Sequence, residues 1–157
     1  MSTSASTAWT TDAPDDAEGA PQILTFQVHG RLYGTPMSVV REIVGERPAT
    51  RLPGAPPYVR GLVNLRGTLL TVVDLAVRLE VRTETADAGH VLVVELEGRL
   101  GGCAVDAVKG VHPFRDVAGN AGGGGVVMGF GEVNGEHIPL LDLPSIIRQA
   151  LLFPGER

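Results

Sequence analysis

The sequence predicts an all-β protein with short helices, in which two similar small barrels pack together. Three observations support this fold class: apolar runs of strand length, turn signals between these runs, and a repetition of the whole pattern along the chain. Residues 23–29 alternate between apolar and polar types, which is typical of a half-buried strand. Further strand-like runs lie at 63–65, 69–73, 91–96, 102–105, 127–133 and 137–141.

Turn signals separate the predicted strands, and capping residues precede the predicted helices. Asn134-Gly135 lies between two apolar runs, which is a strong signal for a β-hairpin. Two short helices are predicted at 74–79 and 142–152, because an aspartate that can cap the N-terminus begins each segment. The other turn signals are Gly30-Arg31, Arg66-Gly67 and Gly98-Arg99.

The chain aligns with itself at a single offset of 68 residues, without a gap. Strand and turn positions match between the two copies, whereas the loops at 44–57 and 112–125 show almost no similarity. We therefore expect two subdomains, at about 22–80 and 90–152, which pack together because each is small for a core of its own. Matched residues include Leu24 and Leu92, Gly61 and Gly129, Gly67 and Gly135, and Asp74 and Asp142.

The repeat separates residues that the fold needs from residues that are free to serve function. Asp74 and its mate Asp142 both precede a helix, which favours capping over catalysis. Arg66 stands where the second copy has Asn134, and Glu42 stands where it has Gly110, so the barrel itself requires neither charge. An arginine at a hairpin tip offers five N–H donors to a partner. That both are ordinary solvated surface charges stays open as the alternative.

Composition argues against several functional classes. The 157 residues carry a net charge of -5 and 4% aromatic side chains, a poor composition for binding nucleic acid or anionic lipid. The single cysteine, Cys103, fits a reducing compartment. With neither a signal peptide nor a membrane-spanning apolar run, the expected location is the cytoplasm. Residues 1–21, with a lone Trp9, are expected to form a disordered tail, and 153–157 a short C-terminal tail.

Candidate catalytic and metal-binding residues do not form a recognisable pattern. No histidine lies at short ligand spacing from Cys103 or from another histidine, so neither a metal nor a cofactor is expected. The run Gly122–Gly125 lacks the Gly-Lys-Ser/Thr of a phosphate-binding loop, and the chain has no Gly-x-Ser-x-Gly elbow. The sequence therefore predicts a protein that is not an enzyme.

Five motifs, at 33–43, 51–61, 64–67, 72–75 and 101–108, together resemble in order and spacing those of one family, the CheW-like domains. Residues 33–43 resemble its Y-G-I-x-x-x-x-V-x-E-I signature, and 51–61 are similar to its T-R-x-P-x-x-P-x-x-V-x-G. Residues 64–67 match N-L-R-G, 72–75 match V-x-D-L, and 101–108 are similar to G-x-x-V-D-x-V. The resemblance covers about 22–152. Thr35, in place of an aliphatic residue, and Thr71, in place of proline, depart from the pattern.

This resemblance implies two five-stranded SH3-like barrels around a hydrophobic groove. It also implies an adaptor that couples the cytoplasmic tip of chemoreceptors to the regulatory domain of a CheA-type histidine kinase, and that can assemble into rings. The partner-binding residues that carry over are Val40, Glu42, Gly61, Asn64 and Arg66. Val40 has Val108 as its repeat mate, so a core role is its alternative.

The sequence leaves a second functional class open. A small-molecule-binding regulatory module could use the groove between the barrels as its pocket. A hydrolase has no supporting constellation of residues.

Overall fold

A computed structural model of the protein describes residues 21–81, 89–117 and 126–151. The predicted tails, Trp9 and the Gly122–Gly125 run lie outside these residues, apart from Pro21. The strands are β1 (Gln22–Val28), β2 (Arg31–Pro36), β3 (Val40–Gly45), β4 (Val59–Leu65), β5 (Thr68–Asp74), β6 (His90–Leu96), β7 (Arg99–Val105), β8 (Ala107–Pro113), β9 (Arg115–Val117), β10 (Val127–Val133) and β11 (Glu136–Leu141). The helices are α1 (Leu75–Arg78) and α2 (Leu143–Leu151), and a 3₁₀ turn spans Met37–Val39.

The 68-residue repeat is visible in the strand positions. β1 shifted by 68 residues coincides with β6 (22 to 90 and 28 to 96), and β4 shifted in the same way coincides with β10 (59 to 127 and 65 to 133). The irregularities repeat as well: β4 has a register shift between Val59 and Gly61, and β10 has one between Val127 and Gly129. Each copy therefore contributes five equivalent strands, and β9 is an addition within the second copy.

The strands form two sheets, and each sheet takes strands from both copies. The six-stranded sheet has the order β8-β1-β2-β11-β10-β9, and the five-stranded sheet has the order β3-β6-β7-β5-β4. The first hairpin of each copy is thus exchanged, and parallel pairs join the copies at β2–β11 and β5–β7. The repeat boundaries at 22–80 and 90–152 consequently do not coincide with the sheets, because strand periodicity in a sequence does not specify which strands pair.

Three apolar clusters fill the molecule. The largest lies between the sheets and contains matched residues of both copies, such as Leu24 and Leu92. Two smaller clusters fill the barrels, one around Leu70 and one around Leu140. α2 packs against β5, β6 and β7, where Ile147 lies against Gly101 so closely that a Cβ there would be 2.5 Å from Ile147 Cγ2. The exchanged hairpins therefore share one central core.

The predicted helix caps are confirmed. Asp74 Oδ1 accepts a hydrogen bond from the Val77 N–H at 3.2 Å, and Asp142 Oδ1 accepts one from the Ser145 N–H at the same distance. Both aspartates satisfy backbone N–H groups that lack a partner within the helix. Within the part of the chain that the structure describes, no helix is both long and apolar enough to cross a bilayer.

Candidate partner-binding site

The tip of the β4–β5 hairpin places an arginine in an unfavourable backbone conformation. Arg66 has φ 53° and Gly67 has φ 89°, so both residues of the two-residue turn are left-handed. At the matching tip of the second copy, Asn134 has φ 52°. Asparagine tolerates this conformation, whereas for other L-residues it costs about 1–2 kcal/mol. His29 and Glu97, at the tips of the β1–β2 and β6–β7 hairpins, have nearly the same φ, 53° and 54°. The left-handed residue is therefore a feature of these two-residue turns, and among the four residues asparagine tolerates it best.

Arg66 is joined to Glu42, which lies on β3. The guanidinium Nη2 donates to Glu42 Oε1 at 2.6 Å, and the two side chains are 65% and 34% exposed. This hydrogen bond, together with the carboxylate charge, raises the pKa of Arg66. An exposed pair of this kind contributes little to stability. Glu42 engages one nitrogen of a group with five N–H donors, which leaves donors for a partner.

The Arg66–Glu42 pair lies at a seam between the two edges of the five-stranded sheet. β3 and β4 are the two outermost strands of this sheet and share no continuous ladder. A second ion pair, between Arg60 Nη1 and Glu46 Oε2 at 3.2 Å, crosses the same seam. Glu42 and Arg66 thus lie at the surface, where two side-chain ion pairs link these edges.

Asn64 and Gly61, both on β4, have structural roles that the geometry explains. Asn64 Oδ1 accepts a hydrogen bond from the Gly67 N–H at 2.9 Å, which stabilises the turn, and Asn64 is exposed beside Arg66. Gly61 has φ 133°, and a Cβ there would lie 2.1 Å from the carbonyl oxygen of Thr50. No side chain fits that position, so Gly61 serves the close approach of two backbone segments.

Val40 belongs to a different surface. It is buried in the central core and also lines an open groove of about 620 Å³. Apolar groups and charged groups both line the groove, and Arg41 forms an ion pair with Glu95 there. The lining residues are Ser38, Val39, Val40, Arg41, Glu95, Leu96, Glu97 and Pro144. The structure therefore brings Glu42, Asn64 and Arg66 together, which we call the seam surface, and places Val40 in the groove.

One exposed residue of the seam surface escapes the sequence motifs. Leu69 is 60% exposed and lies directly opposite Asn64 in the β4–β5 pairing. In the sequence it belongs to an apolar run and looks like a core residue. The repeat carries the only sequence signal, since the matching position holds the polar His137.

Among the described residues, no charged group acts on Cys103 to activate it. It is fully buried, and this burial raises the pKa of its thiol to about 12. The thiol is therefore protonated at neutral pH and is not a nucleophile in the folded state. Among residues 21–81, 89–117 and 126–151, no three histidine, cysteine or acidic side chains form a metal-binding group.

The two barrels, the charged seam surface and the open groove define a protein-interaction domain. The model of the CheW-like domain matches residues 22–151, and the chain belongs to this family. It is 32% identical over 147 residues to the chemotaxis protein CheW of Rhizobium meliloti (strain 1021), covering 88% of this chain and 90% of that protein. It is 35% identical over 100 residues to the probable chemotaxis protein CheW of Rhizobium etli, covering 63% and 64% of the two chains.

A solved structure shows the same fold. The crystal structure of the scaffolding protein TtCheW from Thermoanaerobacter tengcongensis is similar with a TM-score of 0.68 and 26% sequence identity. The alignment covers 79% of this chain and 85% of that one. The predicted architecture of two packed barrels with short helices is confirmed.

Proposed function

We propose that this chain is an adaptor that couples chemoreceptors to a CheA-type histidine kinase in a chemotaxis-like signalling pathway. The family, the chemotaxis proteins among its relatives and the scaffolding protein of similar structure support this function. The observation that carries the proposal is the exposed Arg66–Glu42 pair, whose two charges are both missing from the matching positions of the second copy, Asn134 and Gly110. The fold therefore does not require this pair, and an exposed pair adds little stability, which favours a role in binding.

The seam surface is the proposed site for the regulatory domain of the kinase. Glu42 orients the guanidinium of Arg66, and the remaining N–H donors are available to a carboxylate or carbonyl oxygen of the partner. Opposite charges across an interface select the partner and accelerate association more than they add affinity. Reversal of the charge at position 66 would place two carboxylates side by side and repel an acidic partner.

The groove is the proposed site for the cytoplasmic tip of the receptor, which is a helical hairpin. Val40, Leu96 and Pro144 provide apolar contacts, and charged residues lie along the same groove. An amphipathic helix binds a groove of this kind through apolar anchors at helical spacing. Separate surfaces would let one adaptor hold the receptor and the kinase together, in the cytoplasm beside the membrane that carries the receptor.

The alternative function, small-molecule binding in the groove, has less support. Sites for small molecules are usually concave and bury most of the ligand surface. This groove is open to solvent. The relatives named above are chemotaxis proteins, which favours the adaptor.

Calorimetry with the regulatory domain of the CheA-type kinase from the same organism tests the proposal. We expect the wild-type chain to bind and Arg66→Glu to lose detectable binding while keeping its melting temperature. Arg31→Glu is the matched control, because Arg31 is also exposed but lies on β2 in the other sheet. Binding by Arg66→Glu with unchanged affinity would show that the seam surface is not the kinase site.

A further inference from the structure

The tip of the β6–β7 hairpin forms part of the wall of the groove and carries two carboxylates. Glu95 and Glu97 both line the groove, and their side chains are 46% and 77% exposed. Between them, Leu96 belongs to the apolar part of the lining and packs against the central core. The groove therefore presents carboxylates directly beside apolar side chains.

The fold does not require either carboxylate. The 68-residue offset matches Glu95 with Gln27 and Glu97 with His29, neither of which is acidic. Glu97 and His29 occupy equivalent places at the tips of their hairpins, with φ values of 54° and 53°. The β1–β2 hairpin thus adopts the same turn without acidic side chains, so the two carboxylates are particular to the hairpin that lines the groove.

The equivalent hairpin tip in the other sheet is held differently. Asp106, between β7 and β8, accepts a hydrogen bond at its Oδ2 from the His29 N–H at 2.6 Å. The matching positions on the groove side are Ser38 and Glu97, and both residues line the groove. One hairpin tip is therefore held by the carboxylate of a neighbouring segment, whereas the other presents its own carboxylate to the open groove.

The charges that line the groove do not balance. Glu95 forms its ion pair with Arg41, which is also a lining residue. Glu97 lies 3.5 Å from Arg148, which is on α2 and is not among the lining residues. The described residues that line the groove thus include one cation and two carboxylates, and Glu97 is the more exposed of the two carboxylates.

We infer that Glu97 makes the groove select a receptor helix that carries a basic side chain beside its apolar anchors. The inference rests on the proposed function, since it names the charge that the receptor tip must present to the groove. The apolar lining can receive many amphipathic helices, whereas a charge at the edge of the groove discriminates among them. Complementary charges accelerate association and exclude like-charged partners more than they add affinity.

The test measures binding of the soluble cytoplasmic fragment of a chemoreceptor from the same organism, by surface plasmon resonance at low and high salt. Glu97→Gln removes the charge and Glu97→Lys reverses it. Glu80→Lys is the matched control, because Glu80 is also an exposed acid with a left-handed φ, 64°, and is not among the groove-lining residues. Melting temperatures of all variants report folding.

At low salt we expect Glu97→Gln to bind the receptor fragment about threefold more weakly than the wild type, and Glu97→Lys about tenfold, mainly through slower association. Both differences should shrink at high salt, because salt screens exposed charges. Glu80→Lys should bind like the wild type at both salt concentrations.

Equal binding by Glu97→Lys and the wild type at low salt would overturn this inference and leave the proposed function intact. A loss that persists at high salt, or an equal loss in Glu80→Lys, would overturn it as well, since the cause would then be side-chain size or overall charge. A wild-type chain that does not bind the receptor fragment at all would overturn the groove as the receptor site and this inference with it.

Discussion

Arg66, in the turn that follows β4, and Glu42, on β3, form a 2.6 Å ion pair that links the two edges of the five-stranded sheet. The pair brings two chain segments together on the surface, at the cost of a left-handed arginine. At the equivalent tip of the second copy, asparagine occupies the same conformation and the position of Glu42 is a glycine. The charged pair is thus particular to the first copy, and neither the turn nor the strand requires it.

Replacement of Arg66 by its own repeat mate should separate stability from binding. Arg66→Asn should raise the free energy of unfolding by about 1 kcal/mol, because asparagine tolerates the left-handed conformation and the exposed ion pair contributes little. The same substitution should abolish or strongly weaken binding of the kinase regulatory domain. Urea unfolding measures the first effect and calorimetry the second.

The reverse exchange, Asn134→Arg, is the control for the turn. It should lower the free energy of unfolding by a similar amount, because it places an arginine in the same conformation. A loss of stability in Arg66→Asn would mean that the pair with Glu42 stabilises the barrel more than the strained turn destabilises it.

The sequence repeat predicts the strand positions well but not their pairing. Alternation and turn residues locate each strand, and the 68-residue offset holds for β1 with β6 and for β4 with β10. The exchange of the first hairpins depends on the parallel pairs β2–β11 and β5–β7. Such pairs are set by packing between distant segments, and no local pattern encodes them.

The candidate site, like the fold, could be predicted from the sequence only in part. Glu42 and Arg66 stand out because their repeat mates lack the charge, and the structure brings them together. Gly61 is glycine in both copies, which favours a role in the fold, and the contact with Thr50 explains that role. The only sequence signal for Leu69 is its polar repeat mate, His137, because a leucine in an apolar strand otherwise resembles a core residue. Leu69 is exposed because the residues that bury Thr71 and Val73 on the same face of β5 do not extend over it.

Replacement by alanine should change stability differently at the matched glycines Gly61 and Gly129. Gly61→Ala should lower the free energy of unfolding by about 2–4 kcal/mol, because φ is 133° and the new Cβ would collide with the Thr50 carbonyl. Gly129→Ala is the control, since no atom of the described residues lies within 4 Å of its Cβ position and its φ is not left-handed. We expect it to change stability by less than about 1 kcal/mol. Equal unfolding midpoints for the two variants in urea would contradict this account of Gly61.

Thr35→Val should stabilise the protein. Thr35 is fully buried, and its Oγ1 has no hydrogen-bond partner in the described part of the chain. An unsatisfied buried hydroxyl costs about 1–3 kcal/mol, and valine has nearly the same shape without the polar atom. Thermal and urea unfolding should therefore show a gain of about 1 kcal/mol. A loss of stability in Thr35→Val would show that the hydroxyl is hydrogen-bonded in solution.

Cys103 reports on opening of the central core. Burial raises the pKa of its thiol from 9.0 to about 12, so the reactive thiolate is almost absent in the folded protein at pH 8. Labelling by a thiol reagent should therefore be slow in buffer and at least about 100-fold faster in urea, where the thiol is exposed and its pKa is ordinary. Because the chain has one cysteine, all labelling reports this position.

The same raised pKa predicts how stability depends on alkaline pH. Below pH 9 the thiol is protonated in both the folded and the unfolded chain, so the stability that the buried thiol contributes is fully present. As the pH rises from 9 towards 12, only the unfolded chain loses the proton, and stability falls by up to about 1.4 kcal/mol per pH unit. Cys103→Ala removes this dependence and is the control for other groups that titrate in the same range. Rapid labelling of the folded wild type at pH 8 would contradict the burial of Cys103, and with it the shared core between the exchanged hairpins.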